Sequence, residues 1–327
     1  LRDVRSFRPD LLHLHYAGGR LGSLALLAGL HPLVVTVMGG DVLPEQHLGG
    51  RSILEARATR HILEEADLVL VKADSLRPAV VQQGGDEARI TTVRWGVDPD
   101  TFRRDRGAAG EARARLGLEA RDRVILSPRA LSPLYNTHLL VEALPVVVRT
   151  VPEARLVLTE YGGDPDYRAR LLGRAEALGM AGHVRLAGVV PHRDMPSLYS
   201  LADVVVMTPS SDGLPQSLFE AMACEAPVVL GRLAVYEEVV TPGESALLVA
   251  LDPASIAEAV LAVLRDPSLA GALASSALRR VRERASLPAE VERVEALYRQ
   301  ALSMPRRRVT FRRRARRWVD AATVLAR

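Results

Sequence analysis

The chain has 327 residues, 48% of them apolar, with 43 basic and 39 acidic side chains for a net charge of +4. That length holds two ordinary domains, each with its own core; no apolar run approaches a membrane span, no signal peptide opens the chain, and a single cysteine, Cys224, excludes an intramolecular disulfide. The charge is uneven, because nine arginines and one aspartate from Pro305 onward carry +8 and leave the preceding residues at −4.

Strand-like and helix-like segments alternate along the chain, which predicts parallel α/β architecture. Strands are expected at 11–15, 33–37, 68–71 and 90–95, with helices at 18–30, 52–66 and 75–83 between them. The stretch 98–120 loses the alternation and is rich in charge, Gly and Ala, so a domain boundary is expected there. A second series of strands is expected at 123–127, 155–159, 183–186, 204–207, 228–230 and 247–249, with helices at 137–148, 166–178, 218–224, 254–265 and 268–284. The resulting division is 1–105, 106–288, a helix at 289–303 packing back on the first domain, and a basic tail at 304–327.

The most informative stretch runs from Ser210 to Cys224. It follows a buried parallel strand and opens with Asp212-Gly213-Leu214-Pro215, a tight turn leading into a helix that carries Ser217 and Glu220. In an open α/β sheet such a turn lies at the carboxyl edge, where ligands bind. The backbone N–H groups of a helix start suit a phosphate, and Asp212 and Glu220 can accept hydrogen bonds from sugar hydroxyls. Two bland alternatives stand beside that reading: Asp212 as a helix cap and Glu220 as a solvated helix residue.

The pair of carboxylates eight residues apart, followed by Ala221-Met222-Ala223, resembles the E-x7-E motif of the retaining glycosyltransferases of family four, or group one. The resemblance implies a GT-B fold, two Rossmann-like domains facing each other across a cleft. It implies a nucleoside-diphosphate sugar as donor, a hydroxyl acceptor, and no metal or other cofactor. Asp212, in the position usually held by Glu, would contact the donor sugar and Glu220 the ribose, with Gly213, Leu214, Pro215 and Ser217 around sugar or phosphate. Arg129, at the end of the strand 123–127, resembles the Arg that contacts the diphosphate, a task for which a permanently charged fork is suited. Asn136 stands where the family has Lys. Val189, in Gly188-Val189-Val190-Pro191, falls in the loop that holds the base; His192 just beyond could reach the cleft but reads first as a surface-loop histidine.

In the first domain, Asp10-Leu11-Leu12-His13-Leu14-His15 resembles the family's D-x-x-H-x-H strand, and Thr36-Val37-Met38-Gly39-Gly40-Asp41 its T-x-H-G-x-D turn with Met38 for His. His15, Met38, Gly39 and Asp41 are therefore the acceptor-side candidates, and His13 reads equally well as an inward-packed residue. Trp95-Gly96-Val97-Asp98 followed by Phe102 resembles the segment at the domain crossing. The resemblance also implies one or two βα units before Leu11, so the first domain reads as incomplete. Asp98-Pro99-Asp100 and Asp164-Pro165-Asp166 match a metal-binding D-x-D pattern, but both sit in turn contexts that explain them locally. In the tail, Phe311, Ala315, Trp318, Ala322 and Leu325 fall on one helical face with arginines on the other. That pattern fits a helix on an anionic membrane surface or a segment packed on its own body, and no recognition motif points to nucleic acid.

Together these readings describe a cytoplasmic enzyme, peripheral to the inner membrane face if the tail binds lipid, that builds cell-surface, lipid-linked or glycolipid glycans. Met38, Asn136 and Asp212 motivate a second reading, a non-catalytic nucleotide-sugar-binding protein of the same fold. A third is an epimerase or phosphorylase of similar fold.

Overall fold

The computed structural model describes residues 6–46, 50 and 52–305; the basic tail beyond Pro305 lies outside them, and with it the amphipathic pattern read there. The described chain forms two compact units. One comprises the residues up to Trp95, Asp212–Leu214 and the residues from Pro288 on; the other comprises Gly96–Ser211 and Pro215–Leu287.

The first unit is built on β1 (Leu12–His15), β2 (Leu33–Val37), β3 (Leu68–Val71) and β4 (Ile90–Thr92), all parallel and in spatial order 1-2-3-4. Its helices are α1 (Gly19–Ala28), α2 (Ile53–Glu65) and α3 (Arg77–Gln82). Every residue of β2 and β3 is buried, as the β-branched runs require of strands covered on both faces. α2 starts at a reciprocal cap: the Ser52 hydroxyl accepts from the Glu55 N–H, and the Glu55 carboxylate accepts from the Ser52 N–H. β4 stops short of the expected Trp95 because the chain leaves the ladder. The Arg94 N–H donates to the Glu290 carboxylate at 3.0 Å, and Trp95 takes a left-handed conformation at φ 64°.

The second unit introduces α4 (Arg106–Arg115), β5 (Arg123–Ser127), α5 (Thr137–Thr150), β6 (Ala154–Leu158), α6 (Pro165–Ala177), β7 (Val184–Leu186), α7 (Met195–Leu201), β8 (Val204–Met207), α8 (Gln216–Ala223), β9 (Val228–Gly231), α9 (Ala234–Glu237), β10 (Leu247–Val249), α10 (Pro253–Arg265) and α11 (Pro267–Arg284). Its six strands are parallel in the order 10-9-8-5-6-7. The core gathers Ile125, Leu156, Val204 and Val229 from the sheet with Leu140, Leu144, Ile256 and Val260 from α5 and α10. Three helices escape the sequence reading: α4, α7 and the four-residue α9. α4 lies inside the stretch expected to be irregular; only its Ala112 is buried, so its apolar periodicity is faint, and the Asp105 carboxylate caps it at the Ala108 N–H. α7 has seven residues, too few for a clear period, although Met195, Leu198, Tyr199 and Leu201 are all buried.

The last described helix, α12 (Leu287–Ser303), carries Val294 and Ala301 into the first unit's core beside Val34, Leu68, Leu70 and Val93. Tyr298 on this helix reaches β1, where its hydroxyl lies 2.6 Å from His13 Nδ1; His13 Nε2 lies 2.7 Å from the Thr36 hydroxyl. His13 is thus inward-packed, and burial, then the neighbouring His15, lowers its pKa to about 4. A histidine held neutral in the fold but free to charge near 6.5 when unfolded destabilises the fold in acid. Stability is therefore expected to be full above about pH 6.5 and to fall as the pH drops toward 4. Melting curves across this window should show a shallower acid loss in His13→Gln than in the wild type; equal slopes would refute the assignment.

Candidate functional site

The strand order of the second unit reverses at β5, whose neighbours β8 and β6 lead away on opposite sides. At such a switch point the connections leave the sheet in opposite directions and open a crevice at the carboxyl ends of the strands. The chain after β5 carries Arg129, and the chain after β8 carries the turn 212–215 and α8. Arg129 and the start of α8 therefore lie at the same carboxyl edge of the second sheet.

Arg129 projects so that its Nη1 donates to the Ser217 hydroxyl at 3.1 Å, in the first turn of α8. Its guanidinium carbon sits 4.3 Å from the centre of the Tyr135 ring, a cation–π contact that orients the fork. α8 begins with Pro215 at the cap and no side-chain hydrogen bond closing its first turn, which leaves a positive helix end beside Arg129. Asp212 is accordingly not the cap of this helix. Its Oδ1 accepts from the Gly213 N–H at 2.8 Å, and Leu214 turns the chain at φ 69°.

Asn136 departs from expectation. It is the left-handed residue before α5, at φ 48°, a conformation that Asn tolerates better than most residues. Its amide Nδ2 donates to the Thr208 carbonyl at 3.0 Å. The side chain thus ties the loop to the end of β8 instead of extending toward a diphosphate as a lysine would. Val189 is 67% exposed in the loop after β7, where the Gly188 carbonyl accepts from the Glu160 N–H.

Glu220 is buried, not solvated. Tyr199 of α7 donates its hydroxyl to Oε2 at 2.9 Å, and His192 Nε2 donates to Oε1 at 2.8 Å. Burial, then the Glu220 charge, holds the Tyr199 phenol well above its ordinary pKa, so it remains a donor. Cys224, one turn further along, is a packed thiol raised to about 12, by burial first and then by Glu220. Tyr135 and Tyr199 were absent from the sequence reading. The seven residues of α7 are too few to mark Tyr199 as buried, and nothing local names its partner.

The acceptor-side candidates all lie in the first unit. His15 is exposed at the end of β1, its ring centroid 5.0 Å from that of Trp95. Met38 is 39% exposed, and Gly39 adopts φ 107°, open only to glycine at low cost. Asp41 differs from the expectation that it faces a ligand. It is wholly buried, with Oδ2 accepting from the Ala17 N–H at 2.7 Å and Oδ1 from Met38 and Gly39 at 3.0 and 2.9 Å. Its carboxylate holds the turn that presents Met38. The two D-x-D matches are likewise turn residues: Asp98 accepts from the Asp100 N–H and the Thr101 hydroxyl, and Asp164 caps α6 at the Asp166 and Tyr167 N–H groups.

A family model for glycosyl transferases group 1 matches residues 109–280, and one for a glycosyl transferase 4-like domain matches residues 1–96. The chain belongs to the group 1 glycosyl transferases. The group 1 match covers the sheet of the second unit, Arg129 and the whole of α8. Among curated relatives, the GDP-mannose-dependent alpha-(1-6)-phosphatidylinositol monomannoside mannosyltransferase of Mycolicibacterium smegmatis is 33% identical over 77% of this chain and 66% of its own length. D-inositol 3-phosphate glycosyltransferase 1 of Catenulispora acidiphila is 30% identical over 90% of this chain and 72% of its own. The second glycosyltransferase of that organism is matched over 63% of its length, so the chain spans about two thirds of these relatives. Among solved structures, Anabaena Alr3699/HepE in complex with UDP and glucose aligns at a TM-score of 0.80 with 22% identity, over 91% of this chain and 80% of that one. Sucrose-phosphate synthase from Thermosynechococcus elongatus aligns at 0.76 with 24% identity, over 89% and 73%. This group 1 glycosyl transferase thus has the α/β GT-B fold, with two parallel-sheet domains.

Proposed function

We propose that this chain transfers a sugar from a nucleoside-diphosphate donor to a hydroxyl acceptor in glycan or glycolipid synthesis, with retention at the anomeric carbon and without a metal. The observation that carries the reading is Arg129 hydrogen-bonded to the first turn of α8 beside the switch point of the second sheet. There the donor diphosphate meets a guanidinium fork, the Ser217 hydroxyl and a helix N-terminus, all of positive or donating character. As the glycosidic C–O bond breaks, negative charge grows on the departing diphosphate, and these fixed groups stabilise it. The acceptor oxygen bonds to the anomeric carbon on the face that the diphosphate leaves, and its proton passes to the departing phosphate oxygen. Glu220 accepts from the ribose, Asp212 from the sugar, and the loop around Val189 holds the base. The acceptor is assigned to the first unit, through His15 and the turn carrying Met38 and Gly39. The M. smegmatis relative is named for GDP-mannose, which makes that donor the first to try beside UDP-glucose.

The test is calorimetric titration with UDP, GDP and ADP, then turnover of the matching nucleotide sugar with the product anomer read by NMR. One nucleotide is expected to bind in the micromolar range, and the product is expected to keep the donor's anomeric configuration at a rate unchanged by EDTA. An inverted product or a chelator-sensitive rate would overturn those parts of the mechanism. Binding without transfer to any hydroxyl acceptor would leave the non-catalytic reading standing.

A further inference from the structure

The two oxygens of Glu220 are not equivalent. Oε2 faces Tyr199, which is 1% exposed and anchored in α7. Oε1 faces His192, whose side chain is 73% exposed although it is bonded. A buried donor that cannot leave thus holds one oxygen, and a surface donor that can leave holds the other. His192 is kept in place by Phe102, whose ring centroid lies 5.0 Å from the imidazole and 6.4 Å from Tyr199. Phe102 is delivered by the Asp98-Pro99-Asp100 turn: its N–H donates to the Asp98 carbonyl, and the Asp98 carboxylate accepts from Thr101. The acidic pair that resembles a metal motif therefore builds the shelf under His192.

We infer that His192 holds the place of a ribose hydroxyl on Glu220, so that nucleotide binding displaces it, while Tyr199 is the positioning residue that keeps Oε1 aimed at the ligand. The inference rests on the proposed role of Glu220 at the ribose. A carboxylate in a buried position needs its lone pairs satisfied when no ligand is bound, and His192 does this from the solvent side, its own side chain 73% exposed, so that it leaves without being unpacked. The free enzyme thereby keeps Glu220 paired and ready, and ribose binding exchanges one donor for another.

The experiment compares Kd values of UDP, GDP and ADP, and of their 2′,3′-dideoxy counterparts, for the wild type, His192→Ala and Tyr199→Phe. Removal of His192 is expected to tighten the ribonucleotide about two- to fivefold and to leave the dideoxy form unchanged. Tyr199→Phe is expected to weaken the ribonucleotide about threefold or more, again without effect on the dideoxy form, which a general loss of packing would not spare. Weaker ribonucleotide binding in His192→Ala would make His192 a ligand contact and overturn the displacement. Equal shifts for both sugars would show that neither residue acts through Glu220. A wild type that binds ribo and dideoxy forms equally would overturn the ribose role of Glu220 and this inference with it.

Discussion

Arg129→Ala weakens binding of the preferred nucleoside diphosphate by about thirtyfold or more, the equivalent of about 2 kcal/mol. The guanidinium joins the loop after β5 to the first turn of α8 through its bond to Ser217. Hydrogen bonds to charged groups contribute about 1.5–3 kcal/mol, and a fork that meets two phosphate oxygens lies at the upper end of that range. Arg129→Lys should recover only part of the loss. A lysine keeps the charge, but it gives up the planar stack on Tyr135 and the second donor. Calorimetry with both variants decides the matter, with urea melts confirming that the fold is intact. Binding within threefold of wild type in Arg129→Ala would place the diphosphate elsewhere.

Asp41→Ala destabilises the first unit by about 3 kcal/mol or more. Its carboxylate satisfies the N–H groups of Ala17, Met38 and Gly39, and the residue is wholly buried. Each buried donor left without a partner costs about 1–3 kcal/mol, and water has little access to replace the lost acceptor. Asp41→Asn sharpens the test. Its remaining carbonyl oxygen can still accept from Met38 and Gly39, as Oδ1 does, but its NH₂ group then meets the Ala17 N–H donor to donor. The expected order of urea midpoints is wild type, Asn, Ala. An Ala variant within about 0.5 kcal/mol of wild type, the range of an ordinary surface change, would remove Asp41 from this structural role.

The two predictions differ in how far their grounds could be seen in the sequence. Arg129 was legible through its resemblance to the diphosphate-contacting arginine of the group 1 family, two residues beyond the strand that ends at Ser127. The turn before α8 was legible from a local pattern, with Gly and Pro punctuating a strand and an apolar helix. The carboxylate of Asp41 was not, since its partners include an N–H 24 residues away that no periodicity connects to it.

By itself the sequence determined the class of architecture and most of the strands, because buried parallel strands must be continuous apolar runs and amphipathic helices must fall between them. It also marked the glycine–proline turn that opens α8 after a buried strand, while the loop carrying Arg129 was marked by its resemblance to the group 1 family. Only the tertiary structure decided that β5 and β8 are neighbours, which brings those loops together. Only the tertiary structure placed Tyr135 under Arg129, spent the Asn136 amide on Thr208, turned His13 inward onto Tyr298, and set Tyr199 and His192 on the two oxygens of Glu220. Hydrophobic periodicity reports which face of an element is buried, but the partner of a buried polar atom is chosen by sheet order and helix packing. Those in turn are set by contacts between segments far apart in the chain.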